Sequence, residues 1–269
     1  MPLRISAISF LNTAPLMWDF EQGQGDHDFE LSYTVPSLCA QALSEGRADI
    51  GLIPAVTYLT IPNLVVIPGV AIAACGPVRS ILLVSKLPLD QVRTVAADNA
   101  SRTSVALCRL LLKKWLAPQS PPARFIPMEP DLPAMLAACN AALLIGDAAL
   151  RVDRARYAVF DLAEEWHRFT GMPFVFAFWA VRQEAARDHL PPIFQHSRDR
   201  GLQPSSLDAI CREWAPRTGI SEADVRSYLT ENLCYELTAA NLAGLEMFWK
   251  FAAEEGILPE LRPLRFAAS

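Results

Sequence analysis

The feature that most constrains this chain is a pattern that occurs twice. Residues 3–9 (LRISAIS) form a short apolar run that breaks at Asn12 and Thr13 and gives way to an apolar stretch around Leu16 and Trp18. Much later, residues 92–97 break at Asn99, Ser101, Thr103 and Ser104. A run follows with Val105, Cys108, Leu112 and Trp115 at helical spacing and with Arg102, Arg109 and Lys113 on the other side. Both read as strand, small polar turn, helix. A second pair matches. Residues 38–43 are amphipathic, close on Gly46 and precede the apolar run 49–53; residues 132–139 precede the apolar run 141–145 and then Gly146-Asp147. Short apolar runs alternating with helices predict parallel βαβ units, hence two α/β lobes built on one plan.

Residues 78–86 (VRSILLVSK) lie between the two halves, and a comparable apolar strand, residues 174–182 (FVFAFWAVR), follows the second. Two extended crossings between two such lobes give the topology of the two-lobed periplasmic-binding-protein fold. The expected lobes are residues 1–84 plus 178–269, and residues 85–177, with a ligand cleft between them. After residue 182, apolar residues recur at helical spacing near 184–199, 205–215, 221–232 and 239–256, separated by Pro or Gly. These predict a helical C-terminal tail.

Composition narrows the function. Hydrophobic residues make up 52% of 269 positions, too many for a disordered chain. No apolar run approaches the roughly 20 residues that span a bilayer, so no membrane partner is expected. A net charge of −5 without a basic tail argues against nucleic acid. The six cysteines (Cys39, Cys75, Cys108, Cys139, Cys211, Cys234) include no C-x-x-C pair, so reduced thiols rather than disulfides or zinc are expected. The amino terminus lacks the long apolar core of a secretory signal, which together with the thiols predicts a cytoplasmic setting. No nucleophile elbow, P-loop, dinucleotide fingerprint or H-E-x-x-H occurs. His27, His167, His189 and His196 fall outside strand ends, and Glu164 and Glu165, beside Trp166, read as a solvated helical face. No metal or organic cofactor is expected. Oligomeric state is not legible.

What remains is a polar cleft. In open α/β sheets, ligands bind beyond the carboxyl ends of strands, where helix amino termini present unpaired N–H groups and partial positive charge. The segment Ser101-Arg102-Thr103-Ser104 opens such a helix. One hydroxyl would suffice as a cap; three point to contact with a carboxylate, with Arg102 either pairing with the ligand or solvated. Asn12 occupies the matching turn of the first half, as a turn residue or as a donor and acceptor toward substrate oxygen. Ser80 starts the crossing strand, facing the cleft or packing beside it. Ser37 reads as the N-cap of the following helix, with cleft contact as a second possibility. At the end of another strand sits Gly146-Asp147, where Asp147 either caps the next helix or meets ligand.

Taken together, SFLNTAPL, GPVRSILLVSK, SRTSVALCRLLL, LLIGDAALR and DLAEEWHRFTGMPFVFAFWA, in this order and spacing, resemble the chorismate dehydratase family of the futalosine route to menaquinone. The resemblance covers residues 3–182 closely and the tail more loosely. It implies a type II periplasmic-binding-protein-like fold. It also implies loss of water from the dicarboxylate chorismate to give 3-[(1-carboxyvinyl)oxy]benzoate, without a metal or organic cofactor. The family's functional Asn falls on Asn12 and its functional Ser on Ser80, as catalytic residues. Its S-R-T-S segment falls on Ser101, Arg102, Thr103 and Ser104, as substrate-binding residues, with Ser37, Gly146 and Asp147 expected beside them. Two other readings stay open. The sibling family that forms 1,4-dihydroxy-6-naphthoate shares the fold but carries His where this chain has Gly146. A cytoplasmic binding module or sensor for a small carboxylate would need the cleft but no chemistry.

Overall fold

The computed structural model describes residues 2–23, 29–98, 100 and 102–268. In chain order the strands are β1 (Leu3–Ile8), β2 (Phe29–Thr34), β3 (Ile50–Pro54), β4 (Leu64–Ala74), β5 (Ile81–Ser85), β6 (Thr94–Asp98), β7 (Arg124–Met128), β8 (Ala141–Ile145), β9 (Ala158–Asp161) and β10 (Phe174–Arg182). Among the described residues they form two five-stranded sheets, ordered β2-β1-β3-β10-β4 and β7-β6-β8-β5-β9. The second order repeats the first position by position. The strand that opens each half, β1 or β6, runs parallel to both of its neighbours. The fourth position of each sheet is filled by a strand arriving from the other half, antiparallel to the strands on either side: β10 between β3 and β4, and β5 between β8 and β9.

This exchange corrects the expected lobe limits. The strand β5, assigned from sequence to a first lobe ending at residue 84, hydrogen-bonds wholly within the second sheet. The strand β10 belongs to the first sheet from Phe174 rather than from residue 178. Each crossing therefore takes place in the turn before the strand, because a strand cannot change sheets midway without losing its ladder of hydrogen bonds.

Burial explains why some strands were visible in sequence. Every residue of β3, β5 and β8 is buried, so they read as continuous apolar runs, as strands covered on both faces do. The edge strand β2 alternates between half-buried and exposed positions and carries no such run. In the tail, the helices Leu190–Gly201, Pro204–Thr218, Glu222–Ser227 and Ala239–Glu254 fill the expected segments. The first starts later than residue 184, after a short 3-10 turn at Gln183–Ala185, with Pro191 in its first turn, where a missing N–H costs nothing.

Aromatic packing ties the halves and the tail together. Trp166, on the helix Leu162–Thr170 of the second half, is fully buried. It meets Phe174 of β10 and Phe248 of the last helix edge-on, with centroids 5.6 and 6.0 Å away. Its indole N–H donates to the Pro173 carbonyl at 3.2 Å. The flanking Glu164 is exposed and Glu165 pairs with Arg168, so only part of this helix is a solvated face. All six cysteines are free, and Cys39, Cys108, Cys139 and Cys211 are buried. Burial pushes the Cys108 thiol up to about 12, which removes it as a nucleophile near neutral pH.

Candidate active site between the lobes

The carboxyl ends of β1, β3 and β8 converge on one cavity between the two sheets, lined at those ends by Ile8, Pro54 and Ile145. Into it the turns that follow the strands bring Asn12, Ser80, Arg102, Thr103, Ser104 and Gly146. Six of the nine residues expected at the site thus share one hollow. Ser101 lies outside the described residues. The other two expectations are corrected. The helix Pro36–Ser44 has Val35 as its N-cap and no side-chain cap; Pro36 at the first helical position leaves Ser37 inside the first turn, and the cavity is lined by Pro36 rather than Ser37. Asp147 neither caps its helix nor lines the cavity. Its Oδ1 accepts from the Leu11 N–H at 3.0 Å, a bond from one lobe to the other. Burial raises the Asp147 carboxyl above its ordinary range.

The anion-binding side of the cavity is the start of the helix Arg102–Leu111. Ahead of it Asp98, the last residue of β6, accepts from the Ala100 N–H through Oδ1 at 2.9 Å. Burial raises this carboxyl too. Thr103 and Ser104 are buried against the cavity while Arg102 stays exposed at its mouth. The Arg102 side chain makes no hydrogen bond or ion pair with another described residue. The Thr103 hydroxyl also accepts, at 3.4 Å, from the Val56 N–H of the first lobe, leaving its own proton for a ligand.

On the opposite wall, Asn12 sits in a 3-10 turn, Leu11–Thr13, directly after β1. Its Oδ1 is buried and has no partner. An amide oxygen withdrawn from water without a donor costs roughly 1–3 kcal/mol; a ligand hydroxyl in the cavity would remove that cost. Ser80, fully buried, stands between the walls. Its carbonyl accepts from the Gly146 N–H at 2.8 Å. Gly146 has φ +58, and a Cβ there would come within 3.0 Å of the Phe10 ring, so both the backbone and the lobe contact require glycine.

Two residues that hold Ser80 were not singled out in the sequence. Asp161, at the end of β9, accepts from the Val78 and Arg79 N–H groups at 3.1 and 2.6 Å and also caps the next helix through Ala163 and Glu164. It clamps the turn in which Arg79 adopts φ 64, a left-handed conformation that costs a non-glycine residue about 1–3 kcal/mol. An Asp ahead of a helix with two acids in its first turn is a legible cap, but its grip on a turn remote in sequence is not. The other residue, Tyr228, reaches from the tail to within 2.8 Å of Ser80 Oγ. In sequence it was one more apolar-face residue of a helical segment.

The cavity holds about 50 Å3, far below the roughly 300 Å3 at which small-molecule pockets begin. The two lobes meet at the Leu11–Asp147 and Val56–Thr103 bonds and at the Phe10–Gly146 contact. A ligand the size of a substituted ring therefore needs more room than the cavity offers while these contacts hold. Among the described residues, no group of three or more His, Cys, Asp or Glu side chains is arranged to hold a metal ion, and no helix is long and apolar enough to cross a membrane.

With this geometry in place, likeness to known proteins becomes informative. A family model described as menaquinone biosynthesis matches residues 3–254. The chain belongs to the menaquinone-biosynthesis family. A relative named chorismate dehydratase, from Thermus thermophilus, is 30% identical over 262 residues, covering 89% of this chain and 91% of the relative. Among solved structures, protein AF1704 of Archaeoglobus fulgidus superposes with a TM-score of 0.73 at 15% identity, covering 96% of this chain and 98% of its own. The alkanesulfonate-binding protein of Xanthomonas axonopodis pv. citri, bound to MOPS, gives 0.70 at 17% identity, with 96% and 94% covered. At such identities these neighbours establish the fold alone: two lobes of the periplasmic-binding-protein kind, the architecture expected from the two crossings.

Proposed function

We propose that this chain is a chorismate dehydratase, a hydro-lyase that converts chorismate to 3-[(1-carboxyvinyl)oxy]benzoate and water within menaquinone biosynthesis. The observation that carries the reading is the convergence of Asn12, Ser80, Thr103 and Ser104 on one inter-lobe cavity. The family and the named relative supply the substrate.

Chorismate is a cyclohexadiene with a ring carboxylate, an enolpyruvyl ether and a neighbouring hydroxyl. Loss of the proton at the ether-bearing carbon and of the adjacent hydroxyl makes the ring aromatic, which drives the reaction. The proton leaves from a carbon conjugated through the ring alkene to the carboxylate, so negative charge develops toward that carboxylate. The start of the helix Arg102–Leu111, with its N–H groups and the Thr103 and Ser104 hydroxyls, binds the ring carboxylate in this scheme and stabilises the developing charge, where preorganised donors act most strongly. The unpartnered Asn12 Oδ1 accepts from the substrate hydroxyl and orients it. Ser80 donates to the oxygen of that hydroxyl as the C–O bond breaks. The enolpyruvyl carboxylate of the substrate takes the ring proton and passes it to the departing hydroxide, so the products are the aromatic dicarboxylate and one water, and no proton is left on the protein. Closure of the lobes excludes bulk water from these groups.

The test is to incubate the purified chain with chorismate and follow the aromatic product by ultraviolet absorbance and proton NMR. Stoichiometric formation of 3-[(1-carboxyvinyl)oxy]benzoate is expected. Tight binding of chorismate with no turnover would overturn the enzymatic reading and leave a carboxylate-binding module.

A further inference from the structure

Ser80 has a hydrogen-bond partner that the reaction scheme leaves unused. Its carbonyl is engaged by Gly146, and its Oγ lies 2.8 Å from the hydroxyl of Tyr228, both side chains being fully buried. A serine hydroxyl has one proton to give and two lone pairs to receive. If Ser80 gave its proton to Tyr228, the phenolic proton would need another acceptor, and the Tyr228 hydroxyl has no second hydrogen bond among the described residues. The phenol, as the more acidic hydroxyl, is therefore the donor. Ser80 receives it on one lone pair and keeps its own proton for the cavity. Burial raises the phenol's pKa, so it stays protonated and serves as a fixed donor rather than as a source of protons.

The local backbone supports this. The helix Glu222–Ser227 continues into a π-helical turn, Tyr228–Asn232. Such turns are rare and are frequent at functional sites. From this one stretch three groups reach the turn that carries Ser80. Tyr228 meets Ser80, the Asn232 side-chain amide donates to the Pro77 carbonyl at 2.9 Å, and Asp224 pairs with Arg79 at 3.4 Å. The tail thus grips residues 77–80 from one side while Asp161 holds them from the other.

We propose that Tyr228 is a positioning residue for the dehydration: by donating to Ser80 Oγ it fixes the serine rotamer, directs the serine proton into the cavity and makes that proton a stronger hydrogen-bond donor to the leaving hydroxyl. Hydrogen bonds in series polarise one another, by perhaps 10–30% per bond, and a fixed donor acts without reorganisation as charge develops. The inference rests on the reading of Ser80 as the donor to the leaving oxygen.

A double-mutant cycle with chorismate as substrate tests it. Tyr228→Phe keeps the ring and removes only the bond; kcat is expected to fall about tenfold with KM within about twofold of wild type. In an S80A background the same change should alter kcat by less than about twofold, since no serine remains to position. A fall in kcat that persists at full size in that background would assign Tyr228 to packing alone and overturn the proposal, as would a wild-type kcat in Y228F. Wild-type kcat in S80A would instead remove the Ser80 reading itself. Should Y228F fail to fold, replacing Tyr228 by 3-fluorotyrosine keeps both shape and bond while making the phenol a stronger donor. The proposal then expects a kcat about twofold higher, and an unchanged kcat would contradict it.

Discussion

The two turns at matching positions of the two halves use their hydroxyls in opposite ways. After β1, the Thr13 hydroxyl donates inward to the Ile8 and Phe10 carbonyls at 2.6 and 2.8 Å and is fully buried. It closes its own turn, and Asn12 is the polar side chain of that turn that lines the cavity. After β6, Asp98 accepts from the Ala100 N–H, and Thr103 and Ser104 line the cavity. One strand-turn-helix plan thus yields an orienting amide on one wall and an anion-binding helix start on the other. The repeat supplies the frame; the choice of which group satisfies the turn decides what is left for a ligand.

Substitutions can break this comparison at several points. The largest effects are expected at the two groups facing the reacting oxygen. Ser80→Ala and Asn12→Ala should each lower kcat by about 10²–10³, the usual size for one lost donor or orienting group at a centre of developing charge, with little change in KM. Steady-state kinetics on chorismate checks this, and wild-type turnover in both would remove the roles assigned to them. Next is Asp161→Ala, which strips charged acceptors from four N–H groups and releases the Arg79 turn. A loss of about 3 kcal/mol in urea unfolding is expected, and kcat should fall with it.

The matched threonines then separate frame from function. Thr103→Val should raise KM about tenfold, equal to about 1.4 kcal/mol, with a stability loss of no more than about 1 kcal/mol, since the bond it accepts from the Val56 N–H is long at 3.4 Å. Thr13→Val should do the reverse: a loss of about 1–2 kcal/mol of stability, with kinetic constants near wild type. If both variants behaved alike, the contrast between the turns would be wrong.

The smallest effect is expected at Asp147. Its pKa is raised by burial, so the native state takes up this proton at a higher pH than the unfolded chain does. The ionised form therefore weighs against the fold at neutral pH, and that penalty is relieved as pH falls through the native pKa. A carboxamide in its place is neutral and can still accept from the Leu11 N–H. Asp147→Asn should accordingly be as stable as wild type or slightly more stable at pH 7, and lose that advantage below about pH 4. Thermal unfolding across this range reads the sign directly; an advantage that grew in acid would contradict it.

Much of this architecture was legible because buried strands announce themselves. The runs at β3 and β8 are apolar throughout and that at β10 is apolar up to Arg182, and the expected segments at 141–145 and 174–182 match the observed strands residue for residue. The edge strands β2 and β7 were not legible: both are half-exposed, and their side chains follow solvent as much as sheet. At the site, the turns after strands pointed to Asn12, Ser80 and the 101–104 segment because helix starts at strand ends have a generic chemistry. Ser37 and Asp147 were read by the same rule and went elsewhere, since Pro36 starts its helix without a polar cap and Leu11 of the other lobe offers Asp147 a partner. The supports of Ser80 could not be read at all. Asp161 and Tyr228 lie far from it in sequence, and only the folded chain brings them within hydrogen-bonding distance.

In the proposed reaction a doubly acidic ring is held between the lobes, with its carboxylate at the start of the Arg102–Leu111 helix. A crystal structure of the chain with the product, 3-[(1-carboxyvinyl)oxy]benzoate, tests this most directly. The lobes are expected closed, with the ring carboxylate within hydrogen-bond distance of Thr103 and Ser104 and the carbon that lost its hydroxyl facing Asn12 and Ser80. Product seated instead in the cleft formed by Arg109, Phe125 and Ile257 on the outer side of that helix, with the inter-lobe cavity unchanged, would contradict it.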